Sequence, residues 1–178
     1  AAQEVPILTQ NFKAHDVTMV IDTADDFGRY IAFNTWQAKP IVGTEGLAAR
    51  GWSEVIERWG AAQLQSRFEA LSGRSMRADD YAAWAAMRSV GEAVTRTGSA
   101  EAATLRSYML SDQFELAGFK GRALSYRDWN GQLRQPIPLV TDRAMVAIAP
   151  LPGFLHQQTE LDTLGLDRFE SRCQAFQP

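Results

Sequence analysis

Two short apolar runs set the grammar of this chain. The first, DVTMVID over residues 16–22, reads as a buried strand that closes in acidic residues. The second, PIVG over 40–43, ends on a glycine, and between them DDFGRYIAFNTW over 25–36 reads as a helix. Strand, helix and strand in that order predict a parallel βαβ unit, and therefore an α/β chain.

The chain continues in two further styles. From Trp52 to about Ser111 it reads as helical. In WGAAQLQSRFEALSG, Leu64, Phe68 and Leu71 fall at i, i+4 and i+7, and Gly73 supplies a stop. ADDYAAWAAMRSVGEAVTRTG opens on Asp79 and Asp80, which suit a helix N-terminus, and ends at Gly98. Its alanines, with Trp84, Met87, Val90 and Val94, form the predicted packed face. AEAATLRSYMLS is a third, shorter helix. After Phe114 come short β-like runs broken by glycine and Asn-Gly turns, and PIPLVTDRAMVAIA over 136–149 reads as a hairpin. Residues 1–150 are thus expected to form the folded body, with 151–178 an irregular tail packed on it.

Composition excludes several classes of function. With 178 residues, 46% hydrophobic and 22% charged, the chain is long enough for a core and too apolar for disorder. A net charge of −3, with eighteen scattered Lys and Arg, argues against nucleic-acid binding. No apolar run approaches the roughly 20 residues needed to cross a bilayer, so no membrane insertion is expected. The first residues, AAQEVPILTQ, lack the basic start and apolar stretch of a signal peptide, so in an exported protein that segment has already been removed. Cys173, the single cysteine, excludes an internal disulfide and a multi-thiolate metal site. His15 and His156 have no zinc spacing, and no P-loop, GxGxxG or GxSxG motif occurs, so no cofactor is expected.

The candidate site residues cluster near the two apolar runs. Glu45 stands between Thr44 and Gly46 in GTEG, where glycine permits close backbone approach to a ligand. A carboxylate there can pair with a ligand ammonium, or it is an exposed turn acid. Asp22 ends the first run, where the strand C-termini of an open α/β sheet line a binding crevice. Asp25 and Asp26 read first as caps of the following helix. A hard cation held by Asp22, Asp25 and Glu45 is chemically conceivable, although no spacing demands it. Tyr81, at a helix N-terminus, places a phenol beside free backbone N–H groups.

The order VTMVIDTADDFG, PIVGTEGL, GRSMRADDYAAWAAMRSVGEAV and LRSYMLSDQFELAGFKGRALSYRDWNGQLRQPIPLV resembles the second half of type I periplasmic substrate-binding proteins of ABC transporters. A family-like pattern is met by Leu110, Phe114, Gly118, Gly121, Tyr126 and Gly131. The tail GFLHQQTELDTLG is similar to the branch associated with quinoprotein (PQQ-dependent) alcohol oxidation systems. The resemblance covers nearly the whole chain. It implies a Rossmann-like lobe of a two-lobed hinged fold, with a C-terminal β-rich segment. It also implies a periplasmic, non-catalytic protein that binds a small polar solute and delivers it to an ABC permease. Glu45 matches the position of an acid that holds a ligand amino group, Asp22 a ligand-facing strand end, and Tyr81 a position near the cleft, while Thr44 joins the candidate site as the hydroxyl beside Glu45. An acid at residue 22, where amino-acid binders often carry an aromatic, points to a cationic or richly hydroxylated solute.

Family members are considerably longer, so the resemblance implies a missing N-terminal half, a second chain that supplies it, or a shortened protein without solute capture. Two other readings compete. One is an accessory binding protein of a quinoprotein alcohol dehydrogenase system, without a transport role. The other is a small enzyme that uses Asp22 and Glu45 as paired carboxylates.

Overall fold

The structure is a computed structural model and describes residues 2–22, 24, 27–32, 34–44, 47–141 and 143–176. Helices and strands are mixed, as an α/β reading requires. The chain divides into two compact units, residues 1–49 with 139–146, and residues 50–138 with 147–178. It passes from one unit to the other at three places, two of them inside strands. The tail, residues 151–178, falls in the second unit.

In the first unit, helix α1 (Glu4–Thr9) precedes strand β1 (Thr18–Val20), which pairs in parallel with β2 (Ile41–Gly43). The register sets Thr18 opposite Ile41 and Val20 opposite Gly43. Both apolar runs thus form the expected parallel pair, in shorter strands. Val20 is buried, whereas Met19 and its partner Val42 are exposed on the other face. Parallel sheets are ordinarily covered on both faces, so this face is bare for its type. The connection differs from the expected helix. Its regular structure among the described residues is one 3-10 turn, Gly28–Tyr30. A glycine and a β-branched residue in so short a segment offer little propensity for a longer helix. Strand β3 (Ala48–Ala49) closes this part of the chain.

In the second unit, α2 (Ala61–Ser72), α3 (Ala78–Thr97) and α4 (Ala102–Met109) follow in order. Helix α2 stops at Gly73 and α3 at Gly98. Both glycines are left-handed and return their N–H to a carbonyl of the last turn. At the start of α3, Asp80 accepts from the Arg77 N–H at 2.9 Å and forms a two-point ion pair with Arg74. That guanidinium, followed by the backbone N–H, holds the Asp80 carboxyl down at about 2.

The packed face of α3 is the expected one in part: two of its alanines are buried and Trp84 is half-buried against Tyr81 and Phe119, but Met87, Val90 and Val94 lie outside it. Tyr81, Ala85, Ser89 and Ala93 are buried at i+4 spacing, while Met87 is 73% exposed and Val90 and Val94 are also exposed. Small side chains let neighbouring elements approach the helix closely. Accordingly Ser89 Oγ meets the Tyr126 hydroxyl at 2.9 Å. Leu71 of α2 is 90% exposed, so the apolar stripe outruns the core beneath it.

Strands β4 (Leu116–Ala117), β5 (Ala123–Tyr126) and β6 (Leu133–Arg134) form an antiparallel sheet in the same unit. Strands β7 (Ile137–Val140) and β8 (Met145–Ala149) then form, with β3, a third sheet in the order β3-β7-β8. Those two strands realise the hairpin read over 136–149. The tail carries one further 3-10 turn, Glu160–Thr163. Trp52, Ile56, Leu64, Tyr81, Phe114, Leu116 and Leu124 form the core of the second unit.

Candidate functional site

Parallel pairing brings the carboxyl ends of β1 and β2 side by side. The Thr44 N–H donates to the Val20 carbonyl at 2.9 Å, and the Asp22 N–H donates to the Thr44 hydroxyl at 2.5 Å. Two of the four residues expected in the site, Asp22 and Thr44, are therefore joined by one hydrogen bond, beside the ladder bond from Thr44 to Val20. The Thr44 hydroxyl oxygen accepts the bond from Asp22, and among the described residues its own O–H has no acceptor. The Leu47 N–H returns to the Thr44 carbonyl at 2.6 Å. Glu45 and Gly46 lie outside the described residues, as do Asp25 and Asp26.

Asp22 has a second task. Its Oδ2 accepts from the Phe27 N–H at 2.9 Å and the Gly28 N–H at 2.6 Å. The carboxylate thus satisfies two amides at the start of the 3-10 turn, the capping role that the sequence assigned to Asp25 and Asp26. Charge-assisted bonds of this kind tie residues 27 and 28 to the end of β1. Among the described residues, no group of three or more His, Cys, Asp or Glu side chains is arranged to hold a metal ion.

Tyr81 belongs to the other unit and sits in its core. It is 2% exposed, stacks on Trp52 at 4.7 Å, and donates its hydroxyl to the Gly118 carbonyl at 2.7 Å. Burial pushes the phenol pKa well above its usual value. The phenol that the sequence placed beside a ligand is committed to a buried backbone carbonyl, a bond the sequence gives no means of foreseeing. Tyr81→Phe removes the donor and leaves that carbonyl unpaired. It is expected to lower stability by about 1–2 kcal/mol in urea denaturation while the ring stack persists; an unchanged midpoint would show that the hydroxyl holds nothing in place.

The buried charges of the second unit carry no signal in the sequence. Asp162, in the tail, accepts through Oδ1 from Arg127 Nε at 2.9 Å and Arg134 Nε at 2.8 Å. Lys120 is also buried, with no carboxylate paired with it among the described residues. These groups are separated in the chain by up to 42 positions, and no local motif joins them. Cys173 is a free, half-buried thiol.

Comparison with family models, with curated proteins and with solved structures gave no match. Among the described residues, no helix is long and apolar enough to cross a membrane.

Proposed function

We propose that this chain forms one wall of the solute cleft of a type I periplasmic solute-binding protein, which captures a small polar solute and passes it to an ABC permease. The observation that carries the reading is the parallel β1–β2 pair, whose carboxyl ends hold Asp22 and Thr44 in contact. Crevices at the carboxyl ends of parallel strands are where open α/β sheets bind ligands. In this reading Glu45 pairs with a cationic or hydroxylated group of the solute, the Thr44 O–H donates to it, and Asp22 orders the loop alongside. Tyr81 takes no part.

The bare face of the sheet at Met19 and Val42 fits the same reading. A preceding half or a second chain supplies the remaining strands and the opposing jaw. Solute contacts from both jaws then favour the closed state. A single wall leaves the solute in water, so tight capture requires that other half.

Thermal-shift screening with amines, polyamines, sugars and polyols, with the other half supplied in the full-length gene product or as the second chain, tests the proposal. A solute present at a hundredfold excess over its Kd stabilises by about 2.7 kcal/mol, which raises the melting temperature by roughly 5–10 °C in a chain of this size. Glu45→Gln is expected to abolish the shift while the protein still folds. A shift that survives in the variant removes Glu45 from the site, and the absence of a shift with every solute class overturns the reading.

A further inference from the structure

Lys120 lies in the turn between β4 and β5, between Phe119 (φ 56°) and Gly121 (φ 80°). Its side chain is 1% exposed. Nζ donates to Gln135 Oε1 at 2.5 Å and to the Pro136 carbonyl at 3.3 Å, and stands 4.4 Å from the centre of the Tyr81 ring. Among the described residues, the groups in contact with the amine are neutral: the Tyr81 phenol from α3, and the Gln135 amide and Pro136 carbonyl from the β6–β7 connection. The charged side chains of the adjoining elements are directed elsewhere. Asp80 is paired with Arg74, Arg122 with Glu160, and both Arg127 and Arg134 with Asp162, while Glu115 is exposed.

We propose that Lys120 is a proton-sensitive peg, and that uptake of a proton by its amine loosens both the 118–121 turn and Gln135–Pro136, the residues that lead directly into β7. The geometry supplies the parts. One amine joins two segments fifteen residues apart in sequence. The turn it holds contains a left-handed phenylalanine, a conformation that persists only under external restraint. Phe119 is restrained by Trp84, whose ring centre is 5.7 Å away, and by Gly60, where a side chain would crowd its ring.

Burial without a counter-charge disfavours the ammonium, and it holds Lys120 down at about 7. In an opened turn the amine is hydrated and returns to its ordinary value, near 10.4. The opened state therefore binds the proton more tightly than the closed state. Opening is easiest at and below about pH 7 and becomes harder by up to about tenfold per unit above it, until the ordinary value is reached.

Hydrogen exchange of amides 116–126 and 133–138, corrected for the intrinsic pH dependence, tests this between pH 6.5 and 8.5. Protection in the wild type is expected to rise roughly 25-fold over that range, while the Lys120→Met variant and the amides of α4 show no such rise. Flat protection in the wild type, or an equal rise in Lys120→Met, overturns the proposal. A direct NMR titration of the Lys120 side chain in the wild type reads the same property without any substitution. A midpoint near 7 supports the peg, and a midpoint above about 9.5 overturns it.

Discussion

Replacing Asp162 by Ala is expected to lower the stability of the second unit by about 3–5 kcal/mol, the range for breaking a buried ion pair from one side. The Asp162 side chain is fully buried, Arg127 is nearly so, and Arg134 is mostly covered. One carboxylate oxygen accepts from both guanidinium groups, so its removal strands two charges in the interior. Arg127 also holds the tail directly, donating through Nη2 to the Leu161 and Leu164 carbonyls at 3.0 and 2.7 Å. Its guanidinium and that of Arg134 flank the Trp129 indole at 5.7 and 5.0 Å.

Such a loss corresponds to a fall in melting temperature of roughly 10 °C for a chain of this length. Urea denaturation measures it, and trypsin is expected to cut sooner at Arg168 and Arg172 once the tail is released. A loss below about 1 kcal/mol would mean that water reaches the arginines and the pair is no stronger than a surface one.

The parts of this fold that were legible in the sequence are those decided by near neighbours. The apolar runs at 16–22 and 40–43 announced a parallel pair because parallel strands need a long connection and apolar faces. Helix α3 was legible because its limits are local: Asp80 caps one end and Gly98 stops the other. Its buried face was legible only in part. The buried alanines, Ala85 and Ala93, were expected there. Met87 and Val90 are larger and more apolar than Ser89, yet Ser89 is the one covered, because close approach by neighbouring elements decides burial. The same limit applies to the charges. Arg127 and Asp162 are thirty-five positions apart and meet only through the tertiary fold. In the candidate site, the adjacency of residues 22 and 44 was legible from strand order. The capture of the Asp22 carboxylate by Phe27 and Gly28 was not, since it depends on the conformation of the intervening loop.

Gly43→Ala is expected to disrupt the first unit, because at this position the glycine is enforced by backbone. Its φ is 125°, a region that residues with a side chain rarely enter. A Cβ added there would stand 1.8 Å from the Val20 carbonyl oxygen and 2.8 Å from its carbon. Neither atom belongs to a flexible side chain, so β2 must move away from β1. The Val20–Gly43 register and the Thr44 N–H bond to Val20 are the first features lost. The Asp22 N–H then loses the Thr44 hydroxyl as well, and the strand ends separate.

A loss of more than about 3 kcal/mol is expected in the first unit, of the order that backbone strain and a broken strand pair produce together. Gly98→Ala serves as the contrast. That glycine is also left-handed, but nothing lies within 4 Å of the added atom, so only the conformational preference opposes it and about 1 kcal/mol is expected. Amide exchange of Asp22 and Thr44 separates the two substitutions. In Gly43→Ala both amides lose protection, together with any solute-induced thermal shift. In Gly98→Ala both remain protected. Retained protection of Thr44 in Gly43→Ala would mean that β1 and β2 do not hold the strand ends together, and the proposed cleft wall would lose its physical basis.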